Sequence, residues 1–204
     1  MSNLSDRQKH QLQFLDDIYE ISCMYSTKTY IWGGLVMDIM EGIFLREHHD
    51  IDGFILNLMD VKERMDEQFI LKGYFTEFIK GIDMYKIHYQ GFHAAFNRLE
   101  IEKDTTMWRH IGDKGTLYFP VGWLKDNPVN FCDSPVFISG PEFEYAIKEK
   151  VSLLSPEWQI RDTDKQALEY YRDVIKKRNI TPESILIHVW SDNPYWREKG
   201  YKEY

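Results

Sequence analysis

Asp50 and Asp52 stand one residue apart at the head of DIDGFILNL, a run rich in β-prone side chains. On a strand, residues i and i+2 share a face, so both carboxylates project together. Like charges held that close call for a cation. Mg²⁺ suits the pair, because it takes one or two carboxylates and leaves its other positions to water and substrate phosphates. A third acid from a neighbouring strand would complete the site. RLEIE offers Glu100 and Glu102 on one face with Arg98. Glu100 lies inside that strand rather than at its exit, which makes it the expected third acid of the site. Upstream, Gly33 and Gly34 form a turn ahead of a helical pattern. Such a turn lets backbone N–H groups approach a phosphate, and the helix aims its positive end at the anion. A phosphate cradle beside metal carboxylates points to a nucleoside triphosphate with its metal. Paired acids alone also cap turns, and Gly-Gly alone is often only a turn. The helix-length spacer makes the combination specific.

Other side chains are candidates of lesser weight. Arg46 and His48 sit just before the aspartates, placed either to contact phosphate or to close the loop; both enter the expected nucleotide site. Asp38, on the helix after the glycines, reads as a structural group bonding the turn. Lys148, Lys150 and Lys165 fall where C-terminal helices could reach a triphosphate. Lys148 reads as part of a solvated helix face, and Lys150 is taken as the nucleotide-binding lysine. His88 and His93 flank a hairpin turn, where a metal role is not expected. Trp108, Trp123, Trp158 and Trp190 read mainly as core.

These groups need elements to hold them. Ser5 and Gln8 form a capping box for an amphipathic helix over 6–25. KTYIW (28–32) is β-prone and runs into the glycines; 35–44 has helical spacing; 50–58 reads as a central strand. Asp60 and Glu63 cap a third helix that Gly73 ends. Residues 84–90 and 92–102 form a hairpin about Gly91. Another strand covers 116–124 and stops at Pro120; 125–140 is loop-like. Pro141 opens a helix over 141–153, followed by helices over 163–178 and 182–190. The expected organisation is a catalytic α/β domain over 1–140 with a helical region, 141–204, packed on it.

Bulk properties narrow the class. The 204-residue chain is 43% apolar and 15% aromatic, enough for a packed core. A net charge of −8 disfavours a general nucleic-acid binder, which needs a basic face. Cys23 and Cys132 are far apart, so neither a disulfide framework nor a thiolate zinc site is expected. No stretch has the apolar length of a membrane span, and the N-terminus is polar. A soluble cytoplasmic protein is expected, with no membrane partner.

The spacing G-G-x-x-x-D-x-x-x-G-x-x-x-R-x-H-x-D-x-D, carried by Gly33, Gly34, Asp38, Gly42, Arg46, His48, Asp50 and Asp52, resembles the nucleotidyltransferase superfamily. More narrowly it resembles the aminoglycoside 2″-adenylyltransferase and lincosamide nucleotidyltransferase branch. RLEIE resembles the strand that carries the family's third carboxylate, usually Asp. Arg161 and Asp164 resemble its Arg-x-x-Asp helix start. The resemblance implies an α+β fold, a mixed sheet flanked by helices with a mostly helical C-terminal part. It implies that Asp50, Asp52 and Glu100 act with Mg²⁺, while Gly33 and Gly34 hold the β- and γ-phosphates. The implied reaction moves AMP from ATP to a hydroxyl of a small, antibiotic-like molecule. Glu142, Glu144, Asp162 and Asp164 flank the expected cleft and suggest a cationic acceptor. A tRNA or protein acceptor, or a non-catalytic nucleotide-binding domain, stands as the alternative. Oligomeric state is not indicated.

Overall fold

The computed structural model describes residues 4–103, 105–108, 116–154, 159–185 and 188–190. Its centre is a mixed sheet built from short strands: β1 (Thr29–Trp32), β2 (Asp50–Leu56), β3 (Phe75–Ile79), β4 (Met84–Tyr89), β5 (Phe92–Glu102), β6 (Thr105–Trp108), β7 (Thr116–Pro120), β8 (Val129–Phe131), β9 (Ser134–Ile138) and β10 (His188–Trp190). The main path runs β10-β7-β6-β5-β2-β1-β9-β8. β4 joins the first part of β5, and β3 pairs with β4. β2 lies between β1 and β5, antiparallel to the first and parallel to the second. The expectation of a central strand at the aspartates therefore holds, and an α+β fold with a mixed sheet is what forms.

Helices α1 (Asp6–Met24), α2 (Val36–Glu41) and α3 (Leu58–Leu71) cover one sheet face. Ser5 caps α1 through the reciprocal bonds its spacing with Gln8 predicts. Phe14 of α1 and Phe69 of α3 meet Ile51, Ile55 and Phe96 of the sheet in the main core. The other face buries Tyr30, Phe54, Leu99, Leu117 and Phe119 against Phe143 and Ile147. Those last two come from α4 (Pro141–Leu154), which α5 (Asp162–Lys177) packs beside. Alternation on β2 is strict: Ile51 and Ile55 serve one core, Phe54 the other.

Several expectations need correction. Residues 125–140 are not a loop: β8 and β9 form a hairpin there, and β9 runs parallel to β1. Its turn uses Cys132 and Asp133, both at positive φ, without the glycine that usually marks such a turn. β3 and β6 also form, outside the expected strands. No helix spans 182–190; a single 3₁₀ turn at Pro182–Ser184 precedes β10, which pairs antiparallel with β7. α3 starts after Asn57 in the left-handed region with no side-chain cap, leaving Asp60 to favour its first turn by charge alone. Among the described residues, no helix is long and apolar enough to cross a membrane. Trp123 stacks on Phe119 in the core. Trp158 and the side chains of Trp108 and Trp190 lie outside the described residues.

Candidate active site

β1 ends at Trp32, directly opposite Asp52. The chain must then reverse toward α2, and Gly33 does so at φ +85°, a conformation that costs other residues. A Cβ at Gly33 would lie 3.3 Å from Asp52 Oδ2. The Gly33 N–H donates to Glu144 Oε1 at 2.9 Å. Glu144 is fully buried in the first turn of α4, and its Oε1 also accepts from Ser139 Oγ at 2.6 Å. Burial pushes the Glu144 carboxyl up, against the pull of Lys148 one turn along and of those two hydrogen bonds. The turn is therefore braced by a residue 111 positions downstream. Gly33's N–H, expected to meet phosphate, is already engaged; Gly34 is the glycine beside a cation. A Cβ at Gly34 would lie 2.7 Å from Arg46 Nη2 and 3.5 Å from His48 Nδ1.

Arg46 and His48 part company. Arg46 is exposed, with Nη1 donating to the Glu47 carbonyl at 3.1 Å. His48 is 2% exposed. Its Nε2 lies 2.9 Å from Asp38 Oδ2, which also accepts the Leu45 N–H at 2.8 Å. Gln11 Nε2 holds the His48 carbonyl at 3.0 Å. Asp38 and His48 thus tie α2 and α1 to the loop that delivers β2. His48 closes that loop, while Arg46 stays exposed beside Gly34.

Asp50 is exposed and Asp52 half-buried on the same sheet face. Asp52's carboxyl is pushed up to about 7, first by burial, then by Asp50 and by Glu144. Lys148 and Arg161 pull it down only in part. Arg161, at the N-cap of α5, grips Asp164 with Nε to Oδ2 at 2.9 Å and Nη2 to Oδ1 at 3.3 Å. Its guanidinium also feels Asp50 and Asp52. Lys150, the expected nucleotide lysine, instead pairs with Glu149 at 3.1 Å. Lys148 is the α4 lysine whose field reaches Asp52, contrary to its reading as a plain solvated face. A signal for both α4 groups was present in sequence: Pro141 sets the helix start, and Glu144 and Lys148 then share a face at i, i+4.

Glu100 is not brought to the aspartates. In the parallel pairing of β2 with β5, Asp50 is level with His93 and Asp52 with Ala95. Residues of β5 with odd numbers therefore share the aspartates' face, and Glu100 points to the other. It also lies five residues beyond Ala95, about 16 Å along the strand. There it pairs with Arg98, which bonds Asp83 at 3.2 Å as well. The acids expected to flank a cleft are likewise engaged. Glu142 accepts from Arg178 at 3.0 Å, Asp162 from Lys165 at 2.9 Å, and Asp164 from Arg161. Glu144 is buried as described. Among the described residues, no three His, Cys, Asp or Glu side chains gather as a metal centre.

Comparison with solved structures places this architecture. The antibiotic-resistance factor ANT(2'')-Ia in solution superposes with a TM-score of 0.61 at 12% identity, over 83% of this chain and 86% of that one. The lincomycin-bound lincosamide antibiotic adenylyltransferase LnuA gives 0.57 at 16% identity, over 85% and 99%. ANT(2'')-Ia in complex with adenylyl-2''-tobramycin gives 0.57 at 14%, over 83% and 99%. The chain has their fold, as the Gly-Gly and Asp-x-Asp spacing suggested. No protein-family profile matches the chain, and no curated protein matches it in sequence.

Proposed function

We propose that this protein is a Mg²⁺-dependent nucleotidyltransferase that moves a nucleoside monophosphate, AMP from ATP, onto a hydroxyl of a small molecule. One observation carries the reading. Asp50 and Asp52 share a face of the central strand, against the Gly33 turn, where burial and the neighbouring carboxylates hold the Asp52 carboxyl up. The donor set fits Mg²⁺, since two carboxylates suffice when phosphates supply further oxygens. The ion would be held by Asp50 and Asp52, and when bound it neutralises charge on the transferring phosphate. The solved structures of this fold include two antibiotic adenylyltransferases, which supports the same reaction class.

The chain's own groups then have distinct tasks. Arg46, beside Gly34, binds phosphate oxygens as a guanidinium does, with paired donors. Lys148 and Arg161 bring positive charge to the other side of Asp52. Asp38, His48 and Glu144 fix the turn and the loop. The acceptor oxygen forms a bond to the α-phosphorus as the bond to pyrophosphate breaks, and the hydroxyl proton is released to solvent. The position level with Asp52 on the neighbouring strand is Ala95, so the third carboxylate of the implied family pattern is not supplied by β5. The test is pyrophosphate release from ATP with pooled hydroxylated acceptors, with and without Mg²⁺. Mg²⁺-dependent release that needs an acceptor is expected. Release only with tRNA, falling steeply as salt rises, would transfer the reading to a nucleic-acid acceptor.

A further inference from the structure

Three aromatic rings stand in consecutive register on the sheet face that carries the two aspartates. Phe75 of β3 is opposite His88 of β4, and His88 is opposite His93 of β5. His93 is level with Asp50. Ring centres are 5.6 Å apart for Phe75 and His88, and 6.1 Å for His88 and His93. A cavity of about 430 Å³ opens at this end of the hairpin, lined by these three rings together with Gly73, Tyr89, Phe92 and the Gln90-Gly91 turn. Phe75 is 66% exposed, so the core does not account for it. His88 Nε2 is buried without a hydrogen-bond partner among the described residues, 4.0 Å from Glu77 Oε2. Beside the ladder, Lys86 of β4 stands opposite Glu77 of β3, and Asp50 lies past His93, so these neighbours carry no excess of positive charge. The four acids that suggested a cationic acceptor are engaged elsewhere.

We propose that the ladder of Phe75, His88 and His93 is the acceptor platform, and that it takes an uncharged hydroxylated molecule bearing a flat aromatic ring. The proposal rests on the transferase reading for what happens next to Asp50. The ring of the ligand lies against the imidazoles and Phe75, and offset stacking of this kind selects aromatic over aliphatic rings. A hydroxyl of the ligand partners His88 Nε2. Another extends past His93 by one strand spacing, about 4.8 Å, to reach Asp50. Stacked rings also suit single-stranded nucleic acid, but that ligand needs a positive groove, and Lys86 is outnumbered here by Glu77 and Asp50.

The experiment compares two sugars that differ only in the ring. Calorimetric titration of the full chain with para-nitrophenyl glucoside and with methyl glucoside is run with and without Mg²⁺ and a non-hydrolysable ATP analogue. We expect the nitrophenyl compound to bind about tenfold more tightly, the size of a good aromatic contact. Phe75→Ala and His88→Ala should each remove most of that preference while leaving affinity for the ATP analogue within about twofold. Equal binding of the two glucosides, a preference that survives both substitutions, or tighter and salt-sensitive binding of oligoadenylate would overturn the platform. Failure of the ATP analogue to bind the unsubstituted protein would instead overturn the transferase reading, and the glucoside pair measured without nucleotide still decides the platform.

Discussion

The two ends of β5 serve opposite faces of the sheet. At the start, His93 and Ala95 stand level with Asp50 and Asp52 on a shared face. At the far end, Arg98 donates to both Glu100 and Asp83 on the other face. Read within RLEIE alone, Glu100 looks as suited to a metal as Asp52 does. Spacing inside one strand shows which residues share a face. It does not show which face matches that of the neighbouring strand, because a shift of a single residue in register inverts the answer.

The sharpest way to break this contrast is Asp52→Asn. Transfer should fall by about 10³-fold or more, since the charge stabilisation lost is several kcal/mol. Stability should move the other way. Asp52's carboxyl rises from its ordinary value of 3.8 to about 7 in the fold. The native state therefore holds a proton that the unfolded chain has released between those values, and stability falls as pH rises across that window. At pH 8 without metal, Asp52→Asn should melt at or above the parent temperature, and the gap should close below about pH 4. Thermal midpoints at the two pH values, with transfer rates on the same preparation, check both halves.

Gly33→Ala should come next. It strains a φ of +85° and sets a methyl 3.3 Å from Asp52 Oδ2. Backbone strain of about 1–2 kcal/mol should lower the thermal midpoint, and kcat should drop about tenfold or more, as small misplacements of reacting groups do. A smaller effect separates two lysines of α4. Lys148→Met should raise the KM for nucleotide several-fold, whereas Lys150→Met, which breaks only a surface pair worth about 0–1 kcal/mol, should leave it within twofold. Initial rates over a nucleotide series measure both. Smallest of all is Glu100→Gln. Transfer should stay within twofold, with a stability loss of about 1 kcal/mol or less, because the pair with Arg98 is still partly solvated. A loss of activity comparable with Asp52→Asn would return Glu100 to the site.

Much of the positioning machinery was legible because it is local. The capping box at Ser5 and the hairpin about Gly91 each depend on neighbours in sequence. So did the glycine turn, and the strand that carries the aspartates. What stayed hidden is long-range. β9 is short, contains Pro135 and follows a turn without glycine, so its 129–138 hairpin resembles a loop. Glu144 reads in sequence as one of four acids flanking a cleft, since only the tertiary fold shows it buried against Gly33. The same holds for the ion pairs that occupy Glu142, Asp162 and Asp164. Composition counts such charges without knowing which are already spoken for.

The hydrogen bond from Gly33 to Glu144 has a consequence for the order in which the molecule is made. Every residue of the glycine and aspartate signature leaves the ribosome by position 52, but the acceptor that braces the turn emerges more than ninety residues later. β9, the strand beside β1, also follows the signature in synthesis. During translation the nascent chain therefore displays the complete signature well before it has the geometry. A truncated product ending at residue 140 would keep each signature residue and lack the brace. For this fold, the presence of the motif and the presence of a working turn are separate events, and the second belongs to the C-terminal helices.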